Sequence, residues 1–311
     1  MIVELPDTTT SKVSKEIVAM REKGGVVTLG RVLTLVVDTQ PGFVEEAIAA
    51  ANEASREHPC RIIVLANGSP EDDTRLDAEI RVGGDAGASE VVVLYGHGEL
   101  AGESVSLVSA LLLPDAPIVV WWPHGVPENP AQTPLGCIAH RRITDAATED
   151  DPKKALLSLG SDYADGDTDL SWTRLTNWRI QLAAVLEGAG SEPVRAVTVA
   201  GASDSASTFL LAAWLHHALK VSVTLVEDEP GTGIREVIFE RDGGNVELHR
   251  PDQVTAHLTQ PGQPEQQIAL PRRNLRDCLA EELRRLDPDE VYGEVLTQGL
   301  ASCLSQKGVN A

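Results

Sequence analysis

The sequence predicts an α/β protein of two domains with mostly parallel, Rossmann-like sheets, the C-terminal one extended by an antiparallel β-meander. Three observations carry this. Apolar runs of strand length alternate with alanine- and leucine-rich stretches of helical period in both halves of the chain. A β-α-β order is completed between residues 32 and 66 and again between 194 and 227, the length of a crossover unit. After residue 234 the pattern changes to short β segments split by GG, PD and PGQP, which are turn signals.

The elements follow in order. Residues 9–24 read as a helix with Thr8, Thr9 or Thr10 as its cap and Gly24-Gly25 as its stop. Val32–Thr39 is a strand, Val44–Glu57 an alanine-rich helix, and Arg61–Ala66 the strand that closes the first crossover. Arg75–Val82 alternates Leu76, Ala78, Ile80 and Val82 against Asp77, Glu79 and Arg81, as a half-exposed strand does. GGDAGAS, 83–89, is a turn or the start of a short helix. Strand Glu90–Tyr95, helix Ser104–Leu112 and strand Pro117–Trp122 come next, then a proline-rich surface loop over 123–134 and a strand over Arg141–Ala146. A boundary near residue 150 separates an N-terminal α/β domain, 1–150, from a C-terminal domain, 151–311. The second domain opens with helix Pro152–Ser161 and a helix within 165–187, capped by Asp167 or Asp169. Strand Val194–Val199, helix Ser205–Leu219 and strand Val221–Glu227 precede the meander, Ile234–Arg241, Asn245–Arg250, Val254–Gln260 and Gln266–Leu270. Helix Asn274–Leu286 and a further helical stretch end the pattern.

Composition narrows the function. The formal net charge is −21, from 47 acidic against 26 basic residues, so neither a nucleic-acid backbone nor an anionic membrane is an expected partner. There is no run of apolar residues long enough to span a bilayer and no signal-peptide pattern at residue 1, so a cytoplasmic protein is expected. The four cysteines form no CxxC and fit no zinc spacing, so no metal site is expected. Cys60, just before a strand, and Cys278, within an amphipathic helix, read as structural; Cys137 and Cys303, in more polar settings, are the redox candidates.

No complete catalytic constellation is present: GxxxxGK[ST], GxSxG, HExxH and DxDxDG are all missing from the sequence. GHGELAG, 96–102, imitates a dinucleotide fingerprint, but its spacing is GxGxxxG and the next strand ends in Trp121-Trp122 instead of an acid. It reads as a βα turn, and no cofactor is expected. Asp204 is expected to cap the helix that follows it, and His216-His217 to be partly buried, hydrogen-bonded side chains.

Two aromatic clusters stand out in a chain with only 4% aromatics. Trp121 and Trp122 end a strand, where crevices of open α/β sheets form, and His124 follows them. On a helix, Trp172, Leu175 and Arg179 share one face, while Arg174 and Trp178 share another. Tryptophan and arginine dominate binding hot spots, so Trp121, Trp122, His124, Trp172, Arg174, Trp178 and Arg179 are the candidate partner- or ligand-binding residues. Domain joining and the wall of a pocket are both open roles for the Trp121-Trp122 pair.

An ordered set of segments carries a resemblance: IVELPDTTTS at 2–11, EHPCRIIVLA at 57–66, RVGGDAGASEVVVL at 81–94, LLLPDAPIVVWWP at 111–123, RRITDA at 141–146, GDTDLSWTRLTNWR at 166–179 and LRRLDPDEVYGEVL at 283–296. Together they resemble the OpcA family, the glucose-6-phosphate dehydrogenase assembly proteins of actinobacteria and cyanobacteria. The resemblance implies a non-catalytic protein that binds the dehydrogenase and promotes its active oligomer. It would thereby activate the oxidative pentose phosphate pathway and its NADPH supply. It brings no catalytic residues. A second reading remains beside it: a sugar-phosphate-binding protein or enzyme with a crevice near Trp121, Trp122, Arg174 and Arg179.

Overall fold

The computed structural model describes residues 2–24, 31–82, 90–102, 104–188, 192–231 and 233–305. The expected turn at 83–89 lies outside them. The chain divides into two compact units. The first comprises Met1–Thr144, Gly166–Thr168 and Leu275–Pro288; the second comprises Asp145–Asp165, Asp169–Asn274 and Asp289–Ala311.

The first unit begins with a short strand, β1 (Ile2–Leu5), and helix α1 (Thr10–Gly24), whose first turn is capped by Thr9 Oγ1 accepting from the Lys12 N–H. Strand β2 (Leu33–Thr39), helix α2 (Val44–Ala54) and strand β3 (Cys60–Asn67) form the first crossover. Strands β4 (Arg75–Arg81) and β5 (Glu90–His97) follow, then the single-turn helix α3 (Val105–Val108), β6 (Ile118–Trp121), β7 (Arg141–Thr144) and β8 (Asp167–Asp169). The sheet order is β1-β4-β5-β3-β2-β6-β7-β8, and β5 through β7 run parallel. The order reverses between β2 and β6, so this pair of carboxyl ends is the topological switch point. Apolar runs in β2, β3 and β5 are continuous because both faces of a parallel sheet are covered. Edge-side β4 instead alternates, with Leu76, Ala78 and Ile80 turned into the core.

Two expected helices differ. The stretch 104–112 makes one α-helical turn, Val105–Val108, and then a 3-10 turn, Ser109–Leu111. Serine side chains compete for its backbone: Ser104 Oγ accepts from the Ser106 N–H, and Ser109 Oγ donates to Val105 O. Residues 165–187 do not form one helix. Strand β8 comes first, then α5 (Leu170–Thr173) and α6 (Thr176–Gly188), because Asp169 caps α5 and the chain turns again at Arg174-Leu175.

The second unit holds α4 (Pro152–Ser161), α5, α6 and a second crossover of β9 (Ala196–Ala202), α7 (Ala206–Leu219) and β10 (Ser222–Asp228). The meander is β11 (Ile234–Glu240), β12 (Val246–His249), β13 (Thr255–Thr259) and β14 (Gln266–Ala269). Its sheet runs β10-β9-β11-β12-β13-β14, with β9 and β10 parallel and every other pair antiparallel. Helix α7 is apolar nearly all round and buries Phe209, Leu210, Leu211 and Leu215. Helix α8 (Leu275–Arg284) belongs to the first unit, where Arg276 and Arg284 pair with Glu53 and Glu57 beside α2. The second unit closes with α9 (Glu290–Glu294), a π-helical turn at Val295–Gly299 and α10 (Leu300–Ser305). Gly299 is required there, since a Cβ would lie 2.9 Å from Ala213 O on α7. Among the described residues no helix is long and apolar enough to cross a membrane.

Candidate functional site

At the switch point of the first unit, β6 delivers Trp121 and Trp122 to opposite faces of the sheet. Trp122 is 2% exposed and packs in the core with Val36, Val120 and Leu135. Trp121 is fully buried, and its Nε1 has no hydrogen-bond partner among the described residues, a cost on the order of 1–3 kcal/mol. Both rings are therefore interior and neither is surface. His124 stands just beyond and stacks on Phe43, with ring centroids 4.3 Å apart.

The turn after β2 reads Gln40-Pro41-Gly42-Phe43, and α2 begins with Glu45 and Glu46 in its first turn. Glu45 is bound by Arg81 Nη1 at 2.9 Å, and this hydrogen bond holds its carboxyl below the usual range. At the end of β2, Asp38 accepts from Asn67 Nδ2 at the end of β3. The GHGELAG stretch begins at the end of β5, the strand between β3 and β4, and continues into the turn after it, away from the switch point. Its glycines serve a tight turn: Gly98 has φ +61°, and a Cβ on Gly96 would sit 2.0 Å from Leu100 O.

In the second unit, buried Asp169 caps α5 by accepting from the Ser171 N–H, and its other oxygen accepts from the Ala146 N–H. Buried Asp145 takes both Arg174 Nη groups, at 2.7 and 2.6 Å. The Arg179 guanidinium lies 3.9 Å from the centre of the Trp172 ring, and Trp172 Nε1 donates to Asp289 at 2.9 Å. Tyr292 packs on the same ring. Trp172 and Trp178 are 1% and 3% exposed, so these indoles too are mostly interior. Of the seven expected residues, the structure joins Trp172 with Arg179, and Arg174 with Trp178 on one cleft; Trp121, Trp122 and His124 belong to the other unit.

That cleft, of about 370 Å³ counting the solvent at its mouth, is lined by Arg174, Trp178, Ser205, Ser207, Gly233, Ile234, Arg250 and the run Pro271-Arg272-Arg273. Arg250, 94% buried by its 6% exposure, donates from Nη1 to Leu270 O and from Nη2 to Ile234 O, and lies 5.1 Å from the Trp178 ring centre. Its Nε has no partner among the described residues. Burial, with Arg272 beside it, pushes the Arg250 guanidinium down to about 10, so it stays charged at neutral pH. Ser205 caps α7 by accepting from the Thr208 N–H. The expected cap, Asp204, instead accepts from the Gly231 N–H, because the serine one residue later already fills the cap position. Sequence reasoning missed Arg250, Arg272 and Arg273. The one local signal was the pair of arginines after Pro271 in so acidic a chain.

The remaining candidates separate by burial. Cys137 is exposed, with Sγ 3.4 Å from Ala131 O. Cys303, expected in a polar setting, is 2% exposed, because α10 turns it into the interior. Cys60 and Cys278 are buried, and none of the four cysteines is in a disulfide. His216 bonds Val221 O and Ser302 Oγ, and His217 bonds Glu294. Among the described residues no group of three or more His, Cys, Asp or Glu is placed to hold a metal ion.

Two family models match the sequence. Residues 51–161 match the glucose-6-phosphate dehydrogenase subunit N-terminal domain, and residues 165–296 match the C-terminal domain of the same subunit family. The chain belongs to the OpcA family. No curated relative matches it. Among solved structures, this OpcA-family chain is similar to an oxidoreductase from Sinorhizobium meliloti, at a TM-score of 0.51 and 11% identity over 91% of this chain and 99% of that one. It is also similar to KijD10, a 3-ketoreductase from Actinomadura kijaniata solved with NADP, at a TM-score of 0.50 and 10% identity over 87% and 96%. At such identities the likeness shows the fold alone.

The switch-point residues of this family member do not fit a nicotinamide dinucleotide. A pyrophosphate needs close backbone approach through glycines and free N–H groups at a helix start. Here one glycine stands beside Pro41, which has no N–H, and the helix start carries Glu45 and Glu46. Asn67 occupies the end of β3, where an acid would hold the ribose.

Proposed function

We propose that this chain is a non-catalytic assembly factor and allosteric activator that binds glucose-6-phosphate dehydrogenase and promotes its active oligomer. In the cell it would raise flux into the oxidative pentose phosphate pathway and so the supply of NADPH. The single observation that carries this reading is a fold shared with oxidoreductases whose switch-point residues do not fit a dinucleotide, in a chain whose family is described as a dehydrogenase subunit. With Glu46 at the helix start and two tryptophans sealed into the core, the first unit is a scaffold rather than a cofactor cradle. Arg174 in the second unit and buried Arg141 in the first are committed to structural carboxylates, Asp145 and Glu282. One fold hosts many unrelated functions, so likeness to oxidoreductases does not oppose a binding role.

The test is a titration of this chain into the dehydrogenase of the same organism at fixed enzyme and substrate. A saturating rise in kcat or fall in KM, reached at a fixed molar ratio, supports the assignment. Unchanged kinetics under both reducing and oxidising conditions would remove it.

A further inference from the structure

The arginine-lined cleft of the second unit has no place in the assembly reading, and its chemistry points to a ligand of its own. We propose that it is a binding site for the phosphoryl group of a small phosphorylated metabolite.

The argument begins with charge. The chain carries 47 acids against 26 bases, yet Arg174, Arg250, Arg272 and Arg273 line one cleft, and no carboxylate among the described residues lines it with them. Arg174 is balanced by Asp145, and Arg273 Nη1 donates to Thr173 O. Arg250 and Arg272 make no ion pair with a described carboxylate. Two acids close in sequence do not form one: Asp252, whose charge reaches Arg250 only at a distance, accepts from the Val254 and Thr255 N–H groups, and Asp204 from the Gly231 N–H. A buried cation normally sits with a partner anion, since its desolvation is otherwise uncompensated. Arg250 is buried, lacks that anion and keeps a donor, Nε, without a partner.

A dianionic oxygen cluster supplies what is missing. Guanidinium groups bind phosphoryl oxygens through charge-assisted, often paired hydrogen bonds. The cleft also borders the N-terminus of α7, fourteen residues long, where Ser205 is the cap and Ser207 stands in the first turn. The lining selects the rest of the ligand. Trp178, Ile234 and Pro271 provide an apolar wall for its carbon skeleton, which inorganic phosphate would leave uncovered. This site stands or falls without any dehydrogenase, because binding is read on the purified chain alone.

The test is calorimetric titration of the full chain at low salt with glucose 6-phosphate, inorganic phosphate and glucose. Saturable binding of the monoester at about 1 mM or tighter, weaker phosphate binding and none for glucose is the expected result. The exposed variant Arg272→Ala should weaken the monoester about tenfold, and Arg250→Gln at least as much; Arg195→Ala, whose Asp242 pair lies outside the cleft, should leave it unchanged. Should Arg250→Gln misfold, Arg272→Ala still decides. No saturable heat with either anion, or equal losses in Arg272→Ala and Arg195→Ala, would overturn the site. Equal affinity for phosphate and monoester would overturn the metabolite and leave a site for free phosphate.

Discussion

The first unit is fastened to its C-terminal helix by one buried ion pair, and removing half of that pair should be costly. Arg141 on β7 and Glu282 on α8 are 2% and 5% exposed. Arg141 donates from Nε and Nη2 to a single Glu282 oxygen, and from Nη1 to Asp287 O at 2.7 Å. Glu282→Ala leaves the guanidinium buried with the Asp287 carbonyl as its acceptor. Deleting one member of a buried pair costs about 3–5 kcal/mol. For a unit of this size, about 2–4 °C of Tm accompanies each kcal/mol, so the midpoint should fall on the order of 10 °C. The double replacement Arg141→Met/Glu282→Leu removes both charges and fills their volume, and should recover to within about 1 kcal/mol of the parent. Thermal and urea unfolding of the full chain, followed by far-UV circular dichroism, measures both. A loss below about 1 kcal/mol in Glu282→Ala, or a double variant as weak as the single one, would refute the reasoning.

Three further outcomes are expected. Asp77 accepts from Arg75 and from the Asp7 N–H, which hold its carboxyl below the usual range, so its stabilisation is present above the unfolded value of about 4 and lost as pH falls through the folded one. Asp77→Asn should flatten the loss of Tm below about pH 4, and an unchanged slope would contradict it. With a thiol reagent, Cys137 should react at once, while Cys60, Cys278 and Cys303 wait for unfolding; a second fast thiol would contradict the burial described. NADP or NADPH at up to about 1 mM should produce no thermal shift, whereas micromolar binding would mean that the switch point does hold a dinucleotide.

Much of the architecture was legible because its signals are local. Continuous apolar runs such as CRIIVLA mark strands covered on both faces, and the turn residues GG, PD and PGQP mark the meander. Strand β1 escaped because four residues carry no period, and its pairing with β4 spans the whole first crossover. The return of α8 escaped for a different reason: an amphipathic helix shows which face it buries, not against what. The tryptophan clusters were visible as composition, but only packing reveals that Trp121 and Trp122 are interior. The arginine cleft was least legible of all. It gathers residues from a helix turn at 174, a cap at 205, a strand end at 250 and a loop at 272, so no spacing announces it.

The central claim concerns assembly, and the mass of the complex tests it most directly. Mass photometry of the dehydrogenase from the same organism, alone and with this chain at nanomolar concentration, counts each species. The account predicts a new heavier species that contains both proteins and grows at the expense of smaller dehydrogenase forms. A mixture that shows only the masses of the separate proteins, with the dehydrogenase oligomer unchanged, would contradict it.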